Sequence, residues 1–194
     1  MAKLYFKYGA MGSSKTAQAL TTKFNYEERG MKVWLIKPAT DTRDGDDIIK
    51  SRIGLYAHCR AIDKTEDIYD LFKAEAGSVD AIICDECQFF TAEQIDGCRR
   101  IVDELDLPVL CFGLRTDFLT HSFPGSARLF EIADSIAEIK TICECGRKAT
   151  VNARITADGK VVTKGRQVML GGNDRYIAMC HRCWKKKIQE EKDI

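Results

Sequence analysis

The apolar run Leu4–Tyr8 (LYFKY) leads directly into Gly9–Thr16 (GAMGSSKT), a glycine-containing turn that closes on Lys-Thr. A strand that ends in such a turn and opens a helix presents a fan of backbone N–H groups to phosphate oxygens. In that arrangement Lys15 reaches the β and γ phosphates and the Thr16 hydroxyl sits on Mg²⁺. The stretch departs from the pattern G-x-x-x-x-G-K-[ST] at one place: Ser14 stands where the second glycine is usual. A serine there is expected only at negative φ, with its side chain turned away from the phosphates.

Outward from this loop, strand and helix signals alternate. Lys15–Arg29 reads as a helix closed by Gly30, and Lys32–Lys37 (KVWLIK) as a strand stopped by Pro38. Ala39–Arg60 is charged and contains glycines, and reads as a long loop with one short strand. Ile68–Glu75 reads as a helix broken at Gly77-Ser78, and Ala81–Asp85 (AIICD) as a buried strand ending in an acid. Thr91-Ala-Glu-Gln94 has the form of a capping box and opens a helix to about Leu105. Pro108–Gly113 (PVLCFG) is another buried strand, Ala127–Ala133 a short helix and Ser135–Lys140 a last strand. Continuous apolar strands alternating with helices predict an α/β fold with a mostly parallel sheet covered on both faces. Its functional residues should lie at the carboxyl ends of strands, which here means Gly9–Thr16, Asp85-Glu86 and Leu114–Phe118.

From Thr141 the texture changes. Cysteines occur in pairs, and short β-like pieces (Val151–Ile155, Lys160–Val162) flank the hairpin turn Asp158-Gly159. A domain boundary is expected here, with residues 1–140 forming a phosphate-loop core and 141–194 a smaller appended domain. Lys185–Lys187 reads as a solvated helix face.

Lys+Arg 30 against Asp+Glu 29 leaves a net charge of +1, which gives no electrostatic reason to expect a nucleic-acid or membrane partner. No apolar run approaches the roughly 20 residues of a membrane span. With no signal-like segment at Met1-Ala2-Lys3, a cytoplasmic location is expected. Nine cysteines, an odd number, argue against a disulfide framework. Cys59, Cys84, Cys87, Cys98 and Cys111 are scattered; Cys84 and Cys111 read as small apolar core residues. Cys143-x-Cys145 and Cys180-x-x-Cys183 instead suit a closed tetrahedral Zn²⁺ site that staples a small domain. An iron–sulfur cluster is the alternative occupant, and His181 an alternative ligand. The segment between the pairs is then a loop clamped at both ends, carrying Gly171-Gly172-Asn173 and Tyr176.

Asp85-Glu86 at a strand end supplies two acids with separable roles. Asp85 fits the carboxylate that holds Mg²⁺, and Glu86 is placed to receive the proton of an attacking hydroxyl. Two other readings fit the phosphate loop: an ATPase whose zinc ribbon binds nucleic acid, and a nucleotide-binding regulatory module without catalysis. The balanced charge speaks against the first and the Asp85-Glu86 pair against the second.

The loop GAMGSSKT, the stretches DECQFF (Asp85–Phe90) and GLRTDF (Gly113–Phe118), the paired cysteines and GGNDRY (Gly171–Tyr176) together resemble the zinc-containing, cytosolic type of thymidine kinase, over nearly the whole chain. The resemblance implies a RecA-like core with a zinc-bound lasso over the nucleoside. It also implies ATP-dependent phosphorylation of the 5′-hydroxyl of thymidine or deoxyuridine. It assigns Glu86 as the base. It places Gly9, Ala10, Met11, Gly12, Ser13, Ser14, Lys15, Thr16, Asp41, Arg43, Asp85 and Gln88 on the ATP–Mg²⁺ side. Phe89, Leu114, Phe118, Gln167, Val168, Met169, Leu170, Gly171 and Tyr176 would face the nucleoside, with Arg154 anchoring the lasso. Cys143, Cys145, Cys180 and Cys183 would hold structural zinc. A homotetramer and feedback inhibition by thymidine triphosphate are implied as well.

Overall fold

The structure is a computed structural model that describes residues 1–168 and 175–190. Its centre is a sheet of six strands: β1 (Leu4–Tyr8), β2 (Val33–Pro38), β5 (Arg60–Ile62), β6 (Ala81–Cys84), β7 (Val109–Gly113) and β8 (Ser135–Glu138). Their order is β5-β2-β6-β7-β1-β8 and every pairing is parallel. Alternate residues of each strand serve opposite faces, as the pleat requires. Ile82 and Cys84 join Leu4, Phe6 and Val109 under α2 (Ile68–Leu71), α3 (Ala92–Leu105) and α4 (Pro124–Ile132). Ala81 and Ile83 join Leu35, Leu110 and Phe112 under α1 (Lys15–Glu27). Burial on both faces explains why the central strands β6 and β7 read as unbroken apolar runs.

Local signals account for the helix limits. Gly30, at φ +74, donates to the Glu27 carbonyl and turns the chain out of α1. The Thr91–Gln94 capping box is formed in both directions. Two expectations are corrected. The helix expected over Ile68–Glu75 is regular only to Leu71 and continues as a π-helical turn, Phe72–Ala76. The loop 39–60 carries a hairpin of two strands rather than one, β3 (Ile48–Lys50) paired antiparallel with β4 (Tyr56–His58). The buried Lys37 ammonium secures the approach to this hairpin by donating to the carbonyls of Gly45 (2.6 Å) and Ile48 (2.9 Å).

Beyond the main sheet, β9 (Val151–Arg154) pairs antiparallel with β10 (Tyr176–Met179), and α5 (His181–Glu190) follows. Val161 pairs with Ile155 as an isolated bridge, so Lys160–Val162 is not a strand. The core of this lobe is small: Cys143, Ala149, Ala153, Met179 and Cys180, with Trp184 packed against them. Among the described residues no helix is long and apolar enough to cross a membrane.

Cysteines scattered in sequence meet in the main core. Cys84 and Cys111 are register partners on β6 and β7, Cys98 reaches them from α3, and the three sulfurs lie within 4.8 Å of one another. All three are fully buried, as the apolar reading of Cys84 and Cys111 expects.

Two glycines let the site close up. β7 ends at Gly113, where a Cβ would lie 2.6 Å from both Cys87 Sγ and Gln88 Oε1. At Gly125, in the first turn of α4, a Cβ would meet the backbone carbonyls of Cys87 (2.5 Å) and Phe90 (2.8 Å). Backbone cannot swing aside as a side chain can. Gly125→Ala is therefore expected to destabilise the protein by about 1–3 kcal/mol in urea unfolding.

Candidate active site

Because β7 lies between β1 and β6, the loop after β1 and the acids after β6 flank the end of one strand. Gly9 donates its N–H to the Gly113 carbonyl at 3.2 Å. A Cβ on Gly9 would collide with the Ile139 carbonyl and lie 2.5 Å from Ser13 Oγ, so this position requires glycine. Gly12 and Ser14 both take left-handed backbone, at φ +75 and +63. The expectation of negative φ at Ser14 is thus overturned: the loop keeps the backbone that a glycine favours and carries a Cβ within it.

Lys15 folds back over the loop, donating to Ala10 O (2.9 Å) and Ser13 Oγ (3.2 Å). Burial lowers its ammonium to about 8, against the opposing pull of Glu86 and Asp85. The cleft above the loop measures about 630 Å³. Met11, Gly12, Ser14, Lys15 and Thr16 line it on one side, and Asp41, Arg43, Asp85, Glu86 and Leu114 on another.

The two acids have opposite electrostatic fates. Burial pushes the Asp85 carboxyl up to about 7, and the adjacent Glu86 charge adds to the rise; a Thr16 hydroxyl hydrogen bond and Lys15 oppose it. Burial works the same way on Glu86 but is outweighed there. The Arg43 and Lys15 charges, with hydrogen bonds from Arg43 and Gln88, hold Glu86 below the usual carboxylate range. Arg43 donates through Nη2 to Glu86 Oε1 (2.6 Å) and through Nε to Asp41 Oδ1 (2.6 Å). Gln88 donates to Glu86 Oε2 at 2.5 Å and accepts from the Leu114 N–H at 2.9 Å. With both ends of its amide engaged, Gln88 positions the carboxylate and ties it to the end of β7. Glu86 itself sits in left-handed backbone, at φ +50.

A second, mostly apolar cleft adjoins the first and shares Met11, Arg43, Glu86 and Leu114 with it. Its remaining wall includes Phe89, Phe118, Phe123, Gln167, Val168 and Tyr176. Phe89 meets Phe123 edge-on, with ring centroids 5.6 Å apart. Met169, Leu170 and Gly171 lie outside the described residues. Arg154, buried on β9, stacks its guanidinium 3.7 Å from the Phe118 ring centroid. It donates to Tyr176 Oη (3.0 Å) and to the carbonyls of Arg166 (2.9 Å) and Gln167 (3.1 Å).

Three residues of this region were missed in the sequence. Asn152 accepts from the Met11 N–H (2.8 Å) and donates to the Thr116 carbonyl (2.9 Å), so β9 is tied to the phosphate loop. Asp117 accepts from the N–H groups of Leu119 (2.8 Å) and His121 (2.9 Å) and from Gln167 Nε2 (3.1 Å). Phe123 closes the aromatic wall.

The sulfurs of Cys143, Cys145, Cys180 and Cys183 all lie within 4.8 Å of one another, and Cys145 and Cys180 are 3.7 Å apart. Four thiolates about 2.3 Å from a tetrahedral Zn²⁺ stand ~3.8 Å from one another, so the set fits that ion. Hydrogen bonds from the Arg147 N–H and from Cys183 bring Cys145 down to about 6, which favours a thiolate.

The fold and the site define an α/β protein with a large polar cleft, an adjoining apolar cleft and one carboxylate, Glu86, that lines both. The comparisons with known proteins specify it further. The family model described as thymidine kinase matches residues 2–184. A thymidine kinase of Novosphingobium aromaticivorans is 46% identical over 185 residues, 94% of this chain and 96% of the relative. Those of Legionella pneumophila (strain Lens) and Ruegeria pomeroyi are 45% and 43% identical. The alignments cover 96% of this chain in each case, and 90% and 95% of the relatives. The chain belongs to the thymidine kinase family.

The raised Asp85 carboxyl has a consequence for stability. Its unfolded value is the ordinary 3.8 and its folded value about 7. The ionised form is therefore disfavoured by folding, and stability falls as pH rises from about 4 through 7. At about 1.4 kcal/mol per unit, the full cost above pH 7 is a few kcal/mol. Asp85→Asn is expected to raise the melting temperature of the metal-free, nucleotide-free protein, by more at pH 8 than at pH 5.

Proposed function

We propose that the protein transfers the γ-phosphoryl group of ATP to the 5′-hydroxyl of thymidine, with deoxyuridine as a second acceptor. The observation that carries this reading is that Glu86 lines both clefts, with a donor-sized space on one side and an aromatic-walled space on the other. In this reading Gly9–Thr16 cradles the donor phosphates, and the Arg154-anchored segment with Tyr176 closes over a flat base. An apolar wall with a few buried polar groups suits recognition of a pyrimidine.

The chemistry follows from the state of Glu86. The 5′-hydroxyl oxygen forms a bond to the γ phosphorus, and the bond to the β–γ bridging oxygen breaks with its electron pair leaving on ADP. Glu86 takes the hydroxyl proton. A carboxylate held below its usual range is a weak base, which is adequate where the transition state is loose and the proton leaves late. Arg43 fixes the orientation of Glu86 and faces the transferring charge. Thr16 and Asp85 would hold Mg²⁺, which supplies countercharge to the phosphates when bound. Cys143, Cys145, Cys180 and Cys183 would hold zinc with no open position, so that metal holds the lobe together. Division into a donor domain, 1–140, and a lid domain, 141–194, belongs to the same reading. So do a homotetramer and inhibition by thymidine triphosphate.

Incubation with ATP, Mg²⁺ and each of four deoxynucleosides is expected to yield thymidine monophosphate; its absence would sink the proposal. Glu86→Gln is expected to lose about 10²–10⁴ in kcat while ATP binding is kept. Metal analysis is expected to find one zinc per chain. Stripping it with a chelator should open residues 143–183 to protease while the main sheet stays folded. A protein that resists protease equally without metal would contradict the four-thiolate site.

A further inference from the structure

We propose that Arg52 is a donor-phosphate contact. Its guanidinium engages the β,γ end of the triphosphate held over Gly9–Thr16 and meets the charge that moves as the phosphoryl group transfers. This deepens the kinase reading above and rests on it.

Arg52 sits at the tip of the β3–β4 hairpin, across the donor cleft from Lys15 and Asp85. Its Nη1 lies 3.9 Å from where a Cβ on Gly12 would stand, so the guanidinium already hangs over the phosphate loop. It makes no ion pair or hydrogen bond to any described residue. Two of the other three cations of the cleft, Arg43 and Lys15, are engaged. Arg43 is bonded to Asp41 and Glu86, and Lys15 is folded onto Ala10 and Ser13.

Charge explains why a further cation is needed. Asp41, Asp44, Asp85 and Glu86 line the cleft with Lys15, Arg43 and Lys50, so without Arg52 acids outnumber bases by four to three before any ligand arrives. A nucleoside triphosphate with one divalent ion still brings negative charge. Lys50 lines the same wall, but Arg52 is the residue poised over the loop, and its charge is felt at Lys15. A guanidinium fork also matches two phosphate oxygens, which a lysine does not.

The hairpin is built to present this side chain. At the tip, the Ser51 N–H donates to the Leu55 carbonyl (2.7 Å) and the Gly54 N–H to the Ser51 carbonyl (3.0 Å), with Gly54 at φ +91. At the base, Ile49 is buried against Ala19 and Leu20. None of these contacts uses the Arg52 side chain, so truncating it leaves the hairpin its supports.

The test compares the full-length wild type, Arg52→Ala and Arg52→Lys. Calorimetry with Mg²⁺ measures the β,γ-imido analogue of ATP against ADP, with no acceptor present; kinetics follow thymidine monophosphate. Arg52→Ala should weaken the triphosphate analogue about tenfold or more and ADP by less than about twofold. It should lower kcat by about 10²-fold with thymidine KM little changed, and Arg52→Lys should recover part of each loss. Equal weakening of analogue and ADP would mean that the hairpin only shapes the site, and unchanged kinetics and binding would mean no contact; either overturns the proposal. The binding arm stands apart from the kinase reading. If the wild type formed no thymidine monophosphate but the triphosphate-selective loss were seen, the phosphate contact would stand and the assigned reaction would fall.

Discussion

Two carboxylates set side by side at the end of a buried strand repel each other, and much of the site is arranged around that repulsion. In a region of low dielectric two such charges cannot both ionise without help. Burial, with the Glu86 charge adding to it, raises the Asp85 carboxyl to about 7, while Arg43, Lys15 and Gln88 keep Glu86 ionised. Glu86 takes a left-handed turn directly after Asp85. The chain that follows the turn, Cys87–Phe90, packs so closely that β7 ends in a glycine and the first turn of α4 carries one, and a Cβ at either would clash. Close packing after one dipeptide thus sets sequence requirements on two elements distant in the chain.

The small lobe is tied to this centre by polar side chains from one short strand. Asn152 and Arg154 both lie on β9 and both are almost fully buried. Asn152 fixes the backbone of the phosphate loop at Met11, and Arg154 fixes the chain at Arg166 and Gln167 and the ring of Tyr176. A two-stranded sheet of four residues each has too little core to stand alone. On the proposed reading, a metal held by the four cysteines would supply what this small core lacks and keep β9 in place as a bracket between the two clefts.

The parts legible in the sequence were those where one physical signal dominates. Strands buried on both faces had to be largely apolar, so β1, β2, β6 and β7 stood out, and the capping box and Gly30 marked helix ends. The edge strand β5 (Arg-Ala-Ile) has a polar first residue and pairs on one side only, so it carries no such run. The β3–β4 hairpin was hidden because it forms its own two-stranded sheet within charged surroundings, held by Lys37 from β2. Asp85 and Glu86 were visible as a pair, but their opposite titration depends on Arg43 and Gln88 reaching Glu86 and not Asp85. The convergence of Cys84, Cys98 and Cys111 is likewise a matter of strand register and helix placement, which sequence spacing does not contain.

Ser14 illustrates how loop geometry outranks residue preference. A side chain in left-handed backbone costs roughly 1–2 kcal/mol, and a serine was accordingly expected to avoid it. A concave run of N–H groups able to face an anion needs backbone that alternates in hand, and here Gly12 and Ser14 both supply the left-handed residues. Ser14 also starts α1, its carbonyl accepting from the Gln18 N–H at 2.9 Å, so moving it to negative φ would misplace the helix as well as the loop. The strain is thus retained by helix and loop together. Lys15, immediately after it, is buried with only neutral oxygens as hydrogen-bond partners and is held near 8. An anion in the loop would give that ammonium a stronger partner, raise it toward its ordinary value and strengthen binding accordingly. On the proposed reading, the loop therefore carries two unfavourable features, one in the backbone and one in the charge, and phosphate relieves the second without disturbing the first.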